Sequence, residues 1–206
     1  MELVNNTLYY IHDPMCSWCW AFKPTWHKVL KELPSHINVN YLLGGLAPDN
    51  DLPMTLEIQK YVQDNWIKIQ KSVPGTEFNY DFWALNVPRR STYPSCRAVI
   101  SAKKQHPNFE VLMIKGIQKA YYLNAQNPSN EDTLIKIAQD IGLNNESFKT
   151  DLRSTEVNKL LLDQIKIIKT MPISGFPSLV LVKGGLLKRI KIDYLKSNYI
   201  INQIIT

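Results

Sequence analysis

Strand-like segments occur only towards the two ends of this chain, and the long middle reads as helix. Residues 7–11 (TLYYI) and 37–43 (INVNYLL) are rich in β-branched and aromatic side chains, as is 178–182 (SLVLV), which is followed after Gly184-Gly185 by LLKRIKI. From about residue 55 to 170 the apolar residues recur at helical spacing: LEIQKYVQDNWIKIQ, PSCRAVISAKKQ, FEVLMIKGIQKAYYL, EDTLIKIAQDIG closed by Gly142, and VNKLLLDQIKIIK, about five helices in all. A last amphipathic stretch, DYLKSNYIINQII, closes the chain. No repeat, low-complexity tract or linker separates these parts. The reading is therefore an α/β unit made of residues 1–54 and 171–206, with an all-helical domain, 55–170, inserted into it.

Composition narrows the function classes. A chain of 206 residues with 45% apolar and 20% charged side chains can bury a full core without disulfide staples. The formal charge of +6 is spread along the chain, with one modest cluster at Lys183, Lys188, Arg189 and Lys191 and no basic-plus-aromatic constellation, which argues against a nucleic-acid partner. The longest apolar run is broken by Gly175 and Pro177, so no membrane span is expected. The first fifteen residues carry no positive n-region, apolar core or cleavage site, and the expected location is the cytoplasm.

Three cysteines are too few and too odd in number for a secreted scaffold, and two of them, Cys16 and Cys19, are spaced C-x-x-C. They follow the first strand directly and open CSWCWAFKPTWHKVLKEL, a helix in which Pro24 should introduce a kink. A cysteine at a helix N-terminus faces unsatisfied backbone N–H groups and the positive end of the helix dipole, which favours its thiolate. Cys16 is thus the expected nucleophile towards a disulfide, and Cys19, one turn on and more buried, the resolving thiol. Asp13, in the loop before the helix, is a candidate proton acceptor, the alternative being a turn-forming Asp ahead of Pro14. As half of a zinc site the pair lacks partners: no second C-x-x-C exists, His12, His27, His36 and His106 form no H-x-x-x-H pair, and only Cys96 with an isolated His could complete a Cys3His set. No metal and no bound organic cofactor is expected.

The strand followed by DPMCSWCW, with SGFPSLVLV far downstream, resembles the DsbA-like branch of the thioredoxin superfamily, in particular its FrnE-like and predicted disulfide-isomerase members. The resemblance covers nearly the whole chain and implies a thioredoxin-like fold with an inserted helical domain. It further implies a cis bond between Phe176 and Pro177 beside the dithiol, with backbone groups of that loop available to pair with a substrate chain. Trp18, between the cysteines, then supplies an apolar contact surface and shapes the nucleophile's surroundings, while Trp20 and Trp26 serve the core. Cys96 is read as a small buried hydrophobe on a helix face with Val99 and Ile100.

The expected activity is thiol-disulfide oxidoreduction or isomerisation on protein or small disulfides, with glutathione as a conceivable redox co-substrate. One rival comes from STYPSCRAVISA, which looks like the helix-opening motif of 2-hydroxychromene-2-carboxylate isomerases and kappa-class glutathione transferases. Here, however, Ser91-Thr92 and Cys96-Arg97 replace their Asn-Thr and His-Arg. That reading is a glutathione-dependent transferase or isomerase, which would tolerate loss of Cys19. The other rival is a noncatalytic, chaperone-like peptide-binding module using the groove beside Pro177, which would tolerate loss of both cysteines.

Overall fold

A computed structural model describes residues 2–206. Four strands form one sheet in the order β2-β1-β3-β4. The central strand β1 (Thr7–His12) pairs in parallel with β2 (Asn38–Leu43) and antiparallel with β3 (Ser178–Lys183), which in turn pairs antiparallel with β4 (Leu186–Ile190). Every residue of β1 is buried, because the strand is covered on both faces; hence TLYYIH is apolar and aromatic without the polar alternation of a half-exposed strand. The β3–β4 hairpin turns at Gly184 and Gly185, with φ of +59° and +74°. Two consecutive positive φ angles are what a tight hairpin turn needs and what glycine adopts without strain.

The parallel β1–β2 pair requires a crossover, and α1 (Ser17–Glu32) supplies it. Alternate residues of β1 divide between two cores. Leu8 and Tyr10 point to the face shared with Phe22, Trp26 and Val29 of α1 and with Ile200 and Ile204 of α9 (Ser197–Ile205). Tyr9 and Ile11 point to the other face, against Leu42, Val180, Val182, Ile168 and Met171. The helix α1 runs unbroken through Pro24, which lies at an exposed position.

The rest of the chain is helical: α2 (Leu56–Ser72), α3 (Phe82–Leu85), α4 (Tyr93–Gln105), α5 (Asn108–Tyr122), α6 (Glu131–Asp140), α7 (Asn145–Leu152) and α8 (Thr155–Ile168). Its core holds the fully buried Trp66, stacked on Phe78 at 4.7 Å between centroids and edge-on to Tyr121 and Tyr122. Two helices exceed the five expected: α3 and α7 are too short to establish an apolar period, and α7 is marked mainly by its cap, Asn144 Oδ1 accepting from the Ser147 N–H.

The chain divides into two compact units, one comprising the residues up to Gly44 together with Asp163–Thr206, the other Gly45–Leu162. These limits differ from 54/55 and 170/171. The stretch after Gly44 belongs with the helices, where Ala47 and Thr92 exchange backbone and side-chain hydrogen bonds. The last turns of α8 belong with the sheet, where Ile167 and Ile168 pack. Among the described residues no helix is long and apolar enough to cross a membrane.

Candidate active site

The end of β1 runs into a turn built around Asp13. The fully buried carboxylate accepts from the Met15 N–H at 2.8 Å, and the Asp13 carbonyl accepts from the Cys16 N–H at 3.0 Å. This turn sets Cys16 as the N-cap of α1: its carbonyl receives the first helical bond, from the Trp20 N–H, while its side chain caps no backbone N–H.

Cys16 is 6% exposed and Cys19 fully buried. The Cys16 thiol donates to the Phe176 carbonyl across 3.6 Å, a sulfur-length hydrogen bond. Burial pushes the Cys19 thiol well above its ordinary range, and the hydrogen bond it shares with Cys16 and that neighbour's charge push the same way. The Asp13 backbone N–H draws Cys19 down, while the charge of the Asp13 carboxylate adds to the rise. The Phe176-Pro177 peptide bond is cis, Phe176 is half-buried and Pro177 buried.

Five of the six residues singled out in the sequence thus converge: Asp13, Cys16 and Cys19 interact directly, the Phe176 carbonyl meets Cys16, and Pro177 follows it in the chain. The sixth, Trp18, is half-buried with its ring edge-on to Tyr194. Asp13 forms the turn, and the charge of its carboxylate acts on Cys19. Trp26 sits in the core, donating its Nε1–H to the Tyr41 hydroxyl at 3.0 Å. Trp20 departs from expectation: it is half-exposed, with the Lys23 ammonium 4.9 Å above its ring, because its position on α1 faces away from the sheet. Cys96 is fully buried on α4.

Sequence reading missed three side chains around the dithiol. Tyr10, read only as strand, is buried, and burial together with the charges of Cys19 and Cys16 raises its phenol. Tyr194, assigned to the terminal amphipathic stretch, lies before α9, packs edge-on against Trp18 and Phe22, and is raised by the same causes in the same order. His12 is fully buried, stacked on Tyr10 at 4.9 Å, with neither ring nitrogen hydrogen-bonded, and burial lowers it to about 3. A usable signal was the strand period, which puts Tyr10 and His12 on the face that receives α1.

In the helix-opening motif at α4, Arg97 holds Asp49 through two nitrogens at 2.8 Å each, and Arg89, ahead of the motif, pairs with Asp51. These residues line a cavity of about 690 Å³. Among the described residues no group of three or more His, Cys, Asp or Glu side chains is placed to hold a metal ion.

Comparison with known proteins agrees with this geometry. The family model for thioredoxins matches residues 9–199. A candidate protein disulfide isomerase from Nitrosomonas europaea superposes with a TM-score of 0.82 at 27% identity, covering 97% of this chain and 95% of its own. The cytosolic disulfide reductase DsbM from Pseudomonas aeruginosa gives 0.75 at 20% identity, covering 96% and 94%. By sequence, a ClpXP adapter protein SpxH of Halalkalibacterium halodurans is 29% identical over 177 residues, which is 84% of this chain but 57% of the relative; the chain spans little more than half of the curated relatives it matches. With a dithiol at the N-cap of the helix that follows the central strand, and a family match across almost all of its length, this chain belongs to the thioredoxin family and has the fold of its DsbA-like members.

Proposed function

We propose that this protein exchanges disulfides with protein or small-molecule substrates through Cys16 and Cys19, acting as an oxidoreductase or isomerase. The observation that carries the reading is the arrangement of the pair: an N-cap cysteine that is 6% exposed, hydrogen-bonded to the fully buried Cys19 beside a buried carboxylate. The Cys16 thiolate attacks one sulfur of a substrate disulfide, forming a mixed disulfide and expelling the other as a thiolate that takes up a proton. The Cys19 thiol then gives its proton to Asp13 and attacks Cys16. The substrate leaves reduced by two electrons, which the two thiols of the protein give up as the Cys16–Cys19 bond forms. Run backwards, the same steps oxidise a dithiol.

Substrate chains lie, in this reading, along the backbone of Phe176 and Pro177 and against the Trp18 ring. Two molecules of a glutathione-class thiol, joined as their own disulfide in the process, return the oxidised pair to the dithiol, and no bound organic cofactor or metal takes part. We place the activity in the cytosol, where such thiols hold a dithiol reduced.

The test equilibrates the protein in glutathione redox buffers, traps thiols by alkylation, and reads the masses of the peptides carrying each cysteine. A reversible Cys16–Cys19 bond with a midpoint between roughly −270 and −120 mV supports exchange. A pair that stays reduced throughout, or a Cys16 that carries only glutathione, refutes it, and the second outcome turns attention to a glutathione transferase or isomerase. The adapter names of the sequence relatives favour one further reading, a binding role for protein partners that needs no thiol chemistry. It predicts that Cys16→Ser/Cys19→Ser keeps full function in cells.

A further inference from the structure

Gly44 follows the last residue of β2, and its N–H donates to the His12 carbonyl at 2.7 Å, closing the parallel pair next to Asp13. Its backbone does not demand glycine, since the positive φ in this turn belongs to Gly45, at +60°. Space demands it. A Cβ at residue 44 would lie 2.1, 2.3 and 2.7 Å from Cζ, Cε1 and Cε2 of Phe176. The Phe176 ring therefore rests flush on the bare Cα of Gly44, and packs at the edge of the core formed by Tyr9, Ile11 and Leu42. Its own carbonyl accepts from the Cys16 thiol.

We propose that Gly44 is a specificity-determining positioning residue: it stows the Phe176 ring against the end of β2, so that backbone rather than ring faces an incoming disulfide at Cys16. This rests on the exchange reading above. The atoms a methyl would strike are the far end of a rotatable side chain, so Gly44→Ala displaces the ring and leaves the fold in place. The pivot of that ring is two bonds from the carbonyl carbon whose oxygen meets Cys16, so a ring turned out of its seat stays close to that thiol.

The experiment measures kcat and KM for a disulfide-bonded peptide, and the Cys16–Cys19 potential, in Gly44→Ala, Phe176→Ala and the double variant. Gly44→Ala should raise KM by about fivefold or more, the lower end of what an intruding methyl costs a packed site, with the potential unchanged. In the Phe176→Ala background the same methyl should add nothing, because the ring it displaces is gone. A KM within twofold of wild type, or a rise that persists without the Phe176 ring, overturns the assignment. Should Gly44→Ala not fold, the seat is read in the otherwise native chain. The Gly44 Hα resonances should lie upfield from the Phe176 ring current and relax to ordinary values in Phe176→Ala, and unshifted resonances refute the seat. That readout needs no redox activity. A wild-type protein without a reversible disulfide would sink the exchange reading, while an unshifted Gly44 sinks only this one.

Discussion

The ring of Tyr194 stands edge-on to that of Trp18, with centroids 5.2 Å apart and planes at 62°. A residue ahead of the final helix thereby closes over the dipeptide that separates the two cysteines, and its ring also meets Phe22 at 5.7 Å. The Thr25 hydroxyl donates to the Tyr194 carbonyl and anchors this segment to α1.

Truncating that ring should open the site. Tyr194→Ala is expected to destabilise the fold by about 1–2 kcal/mol, less than a fully buried aromatic because the side chain is half-exposed. Alkylation of Cys19 under native conditions should become measurably faster. Tyr194→Phe keeps the ring contacts and should leave both quantities near wild type; an unchanged Cys19 rate in the alanine variant would show that the ring does not shield the dithiol.

Asp13→Asn removes the negative charge beside Cys19 while leaving an oxygen to accept the Met15 N–H. One of the influences that raise Cys19 disappears, so its thiol should titrate lower than in the wild type. The loss of a proton acceptor should nevertheless slow the resolving step, by about a hundredfold if Asp13 works as a general base. The lifetime of a mixed disulfide with a labelled thiol, followed by quenched-flow mass spectrometry, measures it. An unchanged lifetime assigns Asp13 to the turn alone.

His12 makes stability depend on pH. Burial holds it at about 3, against 6.5 for an exposed imidazole. Below pH 6.5 the unfolded chain binds a proton that the folded chain refuses, so stability present above that pH falls as the pH drops towards 3. The slope is at most about 1.4 kcal/mol per pH unit from this group. Urea unfolding at pH 7.5, 5.5 and 4.5 should show the decline in wild type and a shallower one in His12→Phe. Because neither nitrogen has a partner, the phenylalanine variant should also be no less stable at pH 7.5. Equal slopes in the two proteins would mean that the imidazole is reached by water.

The two cysteines should fail differently. Cys19→Ser is expected to accumulate a mixed disulfide between Cys16 and substrate, because nothing resolves it, whereas Cys16→Ser should form no adduct since Cys19 is sealed. Mass spectrometry after incubation with an oxidised peptide distinguishes them. Adduct on Cys19 in the second variant would reverse the assigned roles.

Local chemistry carried much of this architecture into the linear chain. The buried strand TLYYIH, the C-x-x-C at the start of a helix, the Gly184-Gly185 hairpin and the amphipathic helices are each visible within a few residues, because backbone propensity and apolar period act over one or two turns. The split of the sheet between the two ends was legible for the same reason, as was the difference in burial between Cys16 and Cys19, one helical turn apart.

Contacts between residues far apart in sequence carried no such signal. Nothing around Gly44 announces that its missing Cβ is occupied by Phe176, nothing in DYLKS marks Tyr194 as a neighbour of Trp18, and no local pattern leaves His12 without a hydrogen-bond partner. Each arises only when β1, β2, α1 and the segments flanking β3 and β4 are brought together around the dithiol. Steric fit and desolvation depend on distances in space, and the folded chain alone sets them.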